Sequence, residues 1–534
     1  MLFNSNVFLF GFLPLALAGF YAFGAVNRVS AALWLIVCSF VFYAWWNPPF
    51  VVILLASVSI NCLFGKAISA NQAYPSRQSL ILWLAVILNL GALFYFKYLV
   101  SLLAFVKSAG IAVPVIDDVL LPLGISFYTF TQLGYLIDTR LGLVKERGVI
   151  NYFLFVTFFP HLIVGPILHH REIMPQFAQT ETYRFRPENL SVGVTMFVLG
   201  LAKKVLIADS LAGAANLGFD DPQHLALFAS WGAALAYSLQ LYFDFSGYSD
   251  MAIGLARMFG VRFPLNFNSP YKAANIIDYW QRWHMTLTHY LTEYLYNPVS
   301  MTVMRWRIAR GYGVSRKAMA TAGGFASLIA LPTFFTMILA GVWHGAGFQF
   351  LIFGLLHGCY LTINHAWRLR KKARGVREVP SRLRRIGCVL LTYLAALVAQ
   401  VFFRANSAAS ALVMLSGMAG GHGIEHGLVL PAPAMALLGS TGAFLQAHGI
   451  VAVGDLGPLT LLVEIGMLFA VVWMMPNTQQ MLVRFSPALD NVEAGPVRRL
   501  QWQPSFHYAF FIGCLFGSAV LALQNPSRFL YFQF

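Results

Sequence analysis

The chain has 534 residues, 58% hydrophobic and only 10% charged, with 47 Phe, 22 Tyr and 12 Trp. A soluble protein carries about a quarter charged residues, so this composition excludes a soluble globular enzyme and points to a chain embedded in lipid. The formal net charge of +16 sits in short basic stretches beside apolar runs, which suits lipid headgroups and argues against nucleic acid as a partner.

Apolar runs long enough to cross a bilayer, roughly 20 residues each, recur from the start. Residues 7–24, 80–96, 322–341 and 507–524 are examples, and about ten to twelve spans are expected. Residues 1–24 hold no Lys or Arg, so they lack the charged region of a cleavable signal peptide and read as a first span that stays. A first block of spans covers roughly 1–140. A second, 150–265, is interrupted by the polar segment 169–190. Residues 266–318 read as re-entrant or amphipathic helices on the cytoplasmic side. Spans resume near 320. Residues 368–385 carry nine Lys/Arg against one Glu, and 305–317 carry five basic residues and no acid. Loops of this kind stay in the cytoplasm, which places the amino terminus outside. A second use for these charges is to attract an anionic cosubstrate. Residues 418–458, rich in Gly, Ala and Pro, give no clear reading. No soluble domain or internal repeat is evident, so 1–534 reads as one integral membrane unit.

Several polar residues interrupt this apolar background. Lys203 and Lys204 are expected to snorkel to the membrane interface, with contact to an anionic cosubstrate as the alternative. In YFDFSGYSDMAIGL (242–255), Gly247 suits a chain break and Ser249 or Asp250 an N-cap. Asp244 is harder to dismiss, because an unpaired carboxylate at membrane depth is expensive. A cation partner, a histidine or a polar path are all open to it.

In IIDYWQRWHMTLTHYL (276–291), Ile276, Ile277, Trp280, Trp283, His284, Leu287 and Leu291 fall on one face of a continuous helix. Asp278 and Arg282 are spaced for an ion pair. His284 then points into the bundle, either as a core histidine bonded to a carbonyl or as a functional group, and His289 faces the interface or water. In GVWHGAG (341–347), Gly341 and Gly345 have the small-xxx-small spacing of close helix packing, with Trp343 as an interface residue. His344 between them is a functional candidate by its depth alone, and Gly345 and Gly347 leave room beside its ring. On a continuous helix His357, thirteen residues on, points away from His344. His365 abuts the basic loop. The cysteines Cys38, Cys62, Cys359, Cys388 and Cys514 have no metal-like spacing and read as buried thiols.

No G-x-S-x-G elbow, P-loop, dinucleotide fingerprint or HExxH is present, so covalent Ser or Cys catalysis and a metal centre lack local support. A histidine near its unperturbed pKa of ~6.5 is a natural base for deprotonating a hydroxyl.

At these residues the chain resembles the membrane-bound O-acyltransferase family, and within it the bacterial branch that modifies polysaccharides. The resemblance rests on LPLGISFYTF (121–130), FFPHLIVGPI (158–167), GLAKKVLIAD (200–209), LYFDFSGYSDMAIG (241–254), FNSPY (267–271), YWQRWHMTLT (279–288), VWHGA (342–346) and FFRA (402–405). The opening FNSNVFLFGFLPL and the closing FLYFQF add to it. It departs after His284, where YLTEYLYNPVSMTVMRWRIAR has Glu293 in place of an expected Asp and adds Arg305, Arg307 and Arg310.

The resemblance implies an all-α polytopic bundle crossed by a tunnel, in the bacterial inner membrane. It implies that His344 and His284 are catalytic. Trp280, Trp283, Asp244, Ser246, Tyr248, Asn268, Trp343, Lys203 and Lys204 are expected to bind substrate or line the tunnel. No metal and no tightly bound cofactor are expected. Acetyl-CoA or another acyl thioester is the implied cosubstrate. The implied acceptor is an exopolysaccharide, alginate and cellulose among the possibilities, or a periplasmic or membrane-anchored acetyltransferase partner. A transporter, or a silent scaffold of an exopolysaccharide-modifying complex, is the alternative. Transporters commonly show internal repeats, and a scaffold has no use for His344.

Overall fold

The computed structural model describes the chain except for residues 115–118, 376–380, 424–427, 431, 449–450, 454–456, 494–499, 524–528 and 531–534. The closing FLYFQF is therefore described only at Phe529 and Leu530, and the basic stretch 368–385 only outside 376–380.

The expected helical membrane bundle is what forms. Six helices are long and apolar enough to span a bilayer: Val7–Val26, Pro49–Ala70, Pro75–Lys97, Pro187–Asp220, Ala322–His344 and Arg382–Arg404. Shorter apolar helices join them, among them Arg28–Ala44, Ala408–Met418 and Phe506–Ala522. The outward side chains are large and apolar, with Trp83 64% and Leu217 78% exposed, as a lipid-facing surface requires. Helices prevail because hydrocarbon cannot satisfy backbone N–H and C=O groups, and a helix satisfies its own. Polar side chains inside the spans find partners across helices. Asn89 donates to Asn61 at 2.7 Å and Asn61 to Asn89 at 3.1 Å.

At the centre stands the helix Leu227–Met258, in which every residue from Leu239 to Met258 is buried. An all-round buried helix has no polar face to show. The expected break at Gly247 and the N-cap at Ser249 or Asp250 are absent, since the helix runs straight through both. Gly247 serves close packing instead. A Cβ there would lie 2.7 Å from the Gly200 oxygen, and one on Gly254 would lie 2.6 Å from the Gly193 oxygen. Two glycine pairs, each seven residues apart, thus let the Pro187–Asp220 helix lie backbone to backbone on the central one.

The 276–291 segment is likewise not one helix. It is two short helices, Ile276–Trp280 and Met285–Leu291, hinged at His284, whose φ of 44° and ψ of 53° are left-handed. The Met285 N–H donates to the Asn266 carbonyl, and the Asn268 N–H to the Arg282 carbonyl, both at 2.9 Å. These bonds tie the turn to the extended strand of chain before it. Residues 418–458 contribute a helix, Ala432–Ala447, kinked at Gly439, and two three-residue strands, Leu428–Leu430 and Val451–Val453, paired in parallel. These strands are the one departure from the all-α expectation among the described residues. The cysteines also differ from expectation. Cys38 and Cys62 are buried, but Cys359 and Cys514 are exposed on the lipid-facing surface and Cys388 is intermediate.

Candidate active site

His344 is the last residue of the Ala322–His344 helix. Gly345 after it is extended, with φ −175°, and the chain folds back into the helix Phe348–Ala373. Gly341 permits the fold-back, since a Cβ on it would stand 3.1 Å from Gly354 Cα. The small-xxx-small reading therefore holds at Gly341. At Gly345 the expectation of room beside the imidazole is corrected, because the Phe350 ring fills that side.

The fold-back also corrects the phase argument for His357. With the helix broken at Gly345, the Phe348–Ala373 helix returns along its predecessor and brings His357 to the cavity of His344. That cavity, about 40 Å³, is lined by His344, His284, His357, Trp280, Trp283, Tyr279, Asp244, Phe245, Phe353, Gln400, Phe403 and Leu530, with Leu241 and Leu287. It has space for a few waters at most. His344 packs against Phe403 at 4.9 Å between ring centroids and Phe353 at 5.9 Å. It also borders a second cavity of about 250 Å³, formed by Trp46, Lys97, residues 120–127, Ile163 and Val164. Lys97 reaches across to the Trp343 carbonyl at 2.5 Å. His344 is thus the wall between two cavities.

The other two histidines are held in defined tautomers. His284 Nδ1 lies 2.9 Å from Asn266 Oδ1. Asn266 is oriented by Thr286 Oγ1 at 2.9 Å and by its own donation to Ser249 Oγ at 3.1 Å. With Oδ1 the acceptor, Nδ1 of His284 carries the hydrogen, and the buried Nε2 keeps a lone pair that bonds to no protein group. At His357 the Trp280 indole N–H donates to Nδ1 at 3.2 Å, so the hydrogen of that ring is on Nε2. The cavity is walled by Trp280 and Trp283, and Tyr279 lies parallel to Trp283 at 5.8 Å.

Asp244 forms an ion pair with Lys204 at 2.6 Å and accepts the Leu530 N–H at 3.1 Å. Lys204 is 2% exposed and also bonds Asp209 at 2.8 Å. Lys203 bonds Asp250 at 2.5 Å, and Asp250 accepts from Thr478 at 2.7 Å and Gln479 at 3.1 Å. The expectation that both lysines snorkel is overturned. The glycine-mediated contact brings them beside the central helix, and carboxylates there compensate the charge.

Of the expected site residues, the structure brings together His344, His284, Trp280, Trp283 and Asp244. Lys204 reaches the cavity through Asp244. Lys203, Ser246, Tyr248, Asn268 and Trp343 do not line this cavity. Tyr248 stacks on Phe3 at 4.9 Å and meets Phe529 edge-to-face at 4.6 Å, Asn268 accepts from Asn477 at 2.9 Å, and Trp343 stacks on Phe130 at 5.3 Å. His289, 59% exposed, faces out as expected, and Arg282 meets Asp278 at 2.6 Å. The residues missed from sequence are His357, Lys97, Asn266, Gln400 and Leu530. Phe403 lies in the FFRA motif, which could have signalled it.

The geometry defines a multi-pass membrane protein with a histidine-lined cavity among its buried helices. A model of the membrane-bound O-acyltransferase family matches residues 118–308. The chain is 36% identical over 453 residues to a peptidoglycan O-acetyltransferase of Helicobacter pylori, covering 80% of this chain and 81% of that one. It is 38% identical over 424 residues to a probable alginate O-acetylase AlgI of Pseudomonas aeruginosa, covering 78% and 75%. A teichoic acid D-alanyltransferase of Bacillus subtilis is 30% identical over 241 residues, 45% of this chain and 58% of its own. The chain belongs to the membrane-bound O-acyltransferase family and is an O-acyltransferase.

Proposed function

We propose that the protein moves an acetyl group from a cytoplasmic thioester, acetyl-CoA or an equivalent, to a sugar hydroxyl of an extracytoplasmic polysaccharide, directly or through a partner acetyltransferase, in the bacterial inner membrane. The observation that carries this reading is the position of His344 between two cavities. The acyl end of a donor and the acceptor hydroxyl, reaching the ring from its two sides, meet there. His344 takes the proton from the acceptor hydroxyl as its oxygen attacks the thioester carbonyl. The tetrahedral intermediate then collapses, the C–S bond breaks, and the proton passes from His344 to the leaving thiolate. The unpartnered Nε2 of His284 is an acceptor for a donor-group N–H or O–H. Relatives named a peptidoglycan O-acetyltransferase and a probable alginate O-acetylase both point to O-acetylation of a glycan polymer, and that supports the choice.

The test is purified protein in nanodiscs with radiolabelled acetyl-CoA, with thioester loss followed over time and the extracytoplasmic fraction added as a source of acceptor. His344→Ala is expected to cut turnover by about 10²-fold or more, the usual range for a general base, in protein that elutes as the wild type does. Turnover unchanged in His344→Ala sinks the assignment.

A further inference from the structure

Away from the His344 cavity, and sharing no lining residue with it, lies an open cleft of about 330 Å³ lined by His169, Arg171, Glu172, His289, Thr292, Glu293 and Asn297. One ligand-type atom each of His169, His289 and Glu293 lies within 4.8 Å of the others. We propose that these three residues bind a divalent transition-metal ion, Zn²⁺ by preference, and that the ion clips the polar segment that interrupts the second block of spans to the helical segment that follows His284.

Ligand spacing is the first support. Donors about 2.0–2.1 Å from a tetrahedral zinc stand roughly 3.3–3.5 Å from one another. His169 Nε2 and Glu293 Oε2 are 3.4 Å apart, and His289 Nε2 and Glu293 Oε2 are 3.6 Å apart. Both histidine–carboxylate distances thus have nearly the spacing of a first coordination shell, and the two imidazole nitrogens lie within 4.8 Å of each other. The second support is an unsatisfied atom. His169 is 7% exposed at its side chain, and its Nε2 is buried without a hydrogen-bond partner.

The surroundings suit a cation. Glu172 and Glu293 both line the cleft; Arg171 bonds Glu293 Oε1 and approaches Asp138 at 3.2 Å, while Asp138 is also bonded by His170 at 2.8 Å, and Glu293 Oε2 is left toward the histidines. Orientation is supplied from behind, because Tyr294 stacks on the His169 ring at 5.6 Å and 12° and donates to Asp138 at 3.0 Å. Two imidazoles and one carboxylate match the ligand preference of zinc and its neighbours over magnesium or calcium. Three protein ligands leave a fourth position open to the cleft.

The test uses the full chain in detergent, purified by a streptavidin-binding tag so that no oligohistidine competes. Protein stripped with EDTA is titrated with ZnCl₂ by calorimetry, and the bound metal is counted by mass spectrometry after gel filtration. One zinc per chain is expected, with affinity at least about 100-fold weaker in His169→Ala and in His289→Ala. His224→Ala, at an exposed histidine bonded to Asp221, should bind as the wild type does. Because His289 is 59% exposed, its replacement does not threaten folding and decides the question if His169→Ala is unstable. Wild type that takes up no zinc, or zinc binding unchanged in His289→Ala, overturns the proposal.

Discussion

At the scale of single residues, buried charge is settled by partners rather than by reach to the surface. Lys204 lies at membrane depth between Asp244 and Asp209, and Asp244 is one wall of the histidine cavity. Removing one member of an isolated buried pair costs about 3–5 kcal/mol, whereas replacing both by apolar groups is often neutral; here Asp209, 23% exposed, still pairs with Lys204 when Asp244 is lost and reduces that cost. Asp244→Asn should therefore lower the thermal unfolding midpoint in detergent, and the double change Asp244→Leu with Lys204→Met should restore most of it. A double variant no more stable than Asp244→Asn would show that the pair does more than neutralise itself. The left-handed backbone of His284 belongs to this scale as well. Such a conformation in a residue with a Cβ costs about 1–3 kcal/mol and persists only where neighbours enforce it. Here the bonds from Met285 and to Asn266 do so.

At the scale of elements, two close helix contacts place the site. The Gly193–Gly254 and Gly200–Gly247 pairs set the lysine-bearing helix against the central one, and Gly341 lets the His344 helix meet the one bearing His357. Gly247→Ala puts a Cβ 2.7 Å from the Gly200 oxygen and 3.1 Å from Lys203 Cβ. Overpacking of this kind costs about 1–3 kcal/mol. The expected result is a lower unfolding midpoint together with loss of acyl transfer, while Gly213→Ala, whose Cβ would meet nothing within 4 Å, leaves both near wild type. Equal effects from the two would remove the close-packing account. These contacts also explain the misjudged segment 242–255. A glycine in the middle of an apolar run reads as a break by propensity, but opposite another glycine it is what allows continuous helices to touch.

At the scale of the whole molecule, the two ends of the chain meet at the core. Phe529 meets Tyr248 edge-to-face, Tyr248 stacks on Phe3, and the Lys204 ammonium sits 4.9 Å over the Phe529 ring. Leu530 then caps Asp244 through its backbone N–H and lines the cavity. Phe529→Ala, at a residue 1% exposed, is expected to cost about 3–5 kcal/mol and to reduce acyl transfer, although it lies some 185 residues along the chain from His344. Full activity in this variant would mean that the carboxyl-terminal segment only decorates the site.

What the sequence determined by itself is local in origin. An apolar run of about 20 residues must span because the bilayer demands that length, and the outward face of each helix follows. His344, His284 and Asp244 were legible because histidines and carboxylates at membrane depth carry a cost that marks them, and they stand with Trp280 and Trp283 in the stretches that carry the family resemblance. What only the tertiary structure decided is which distant groups meet. His357 was discarded because a thirteen-residue phase assumes an unbroken helix, and the break at Gly345 reverses the direction of the chain. Lys204 with Asp244, Leu530 with Asp244, and Asn266 with His284 are contacts between separate segments, and no periodicity within one segment can encode them. The same holds for His169 and His289, 120 residues apart, whose nearness depends on how the polar segment lies against the helix after His284.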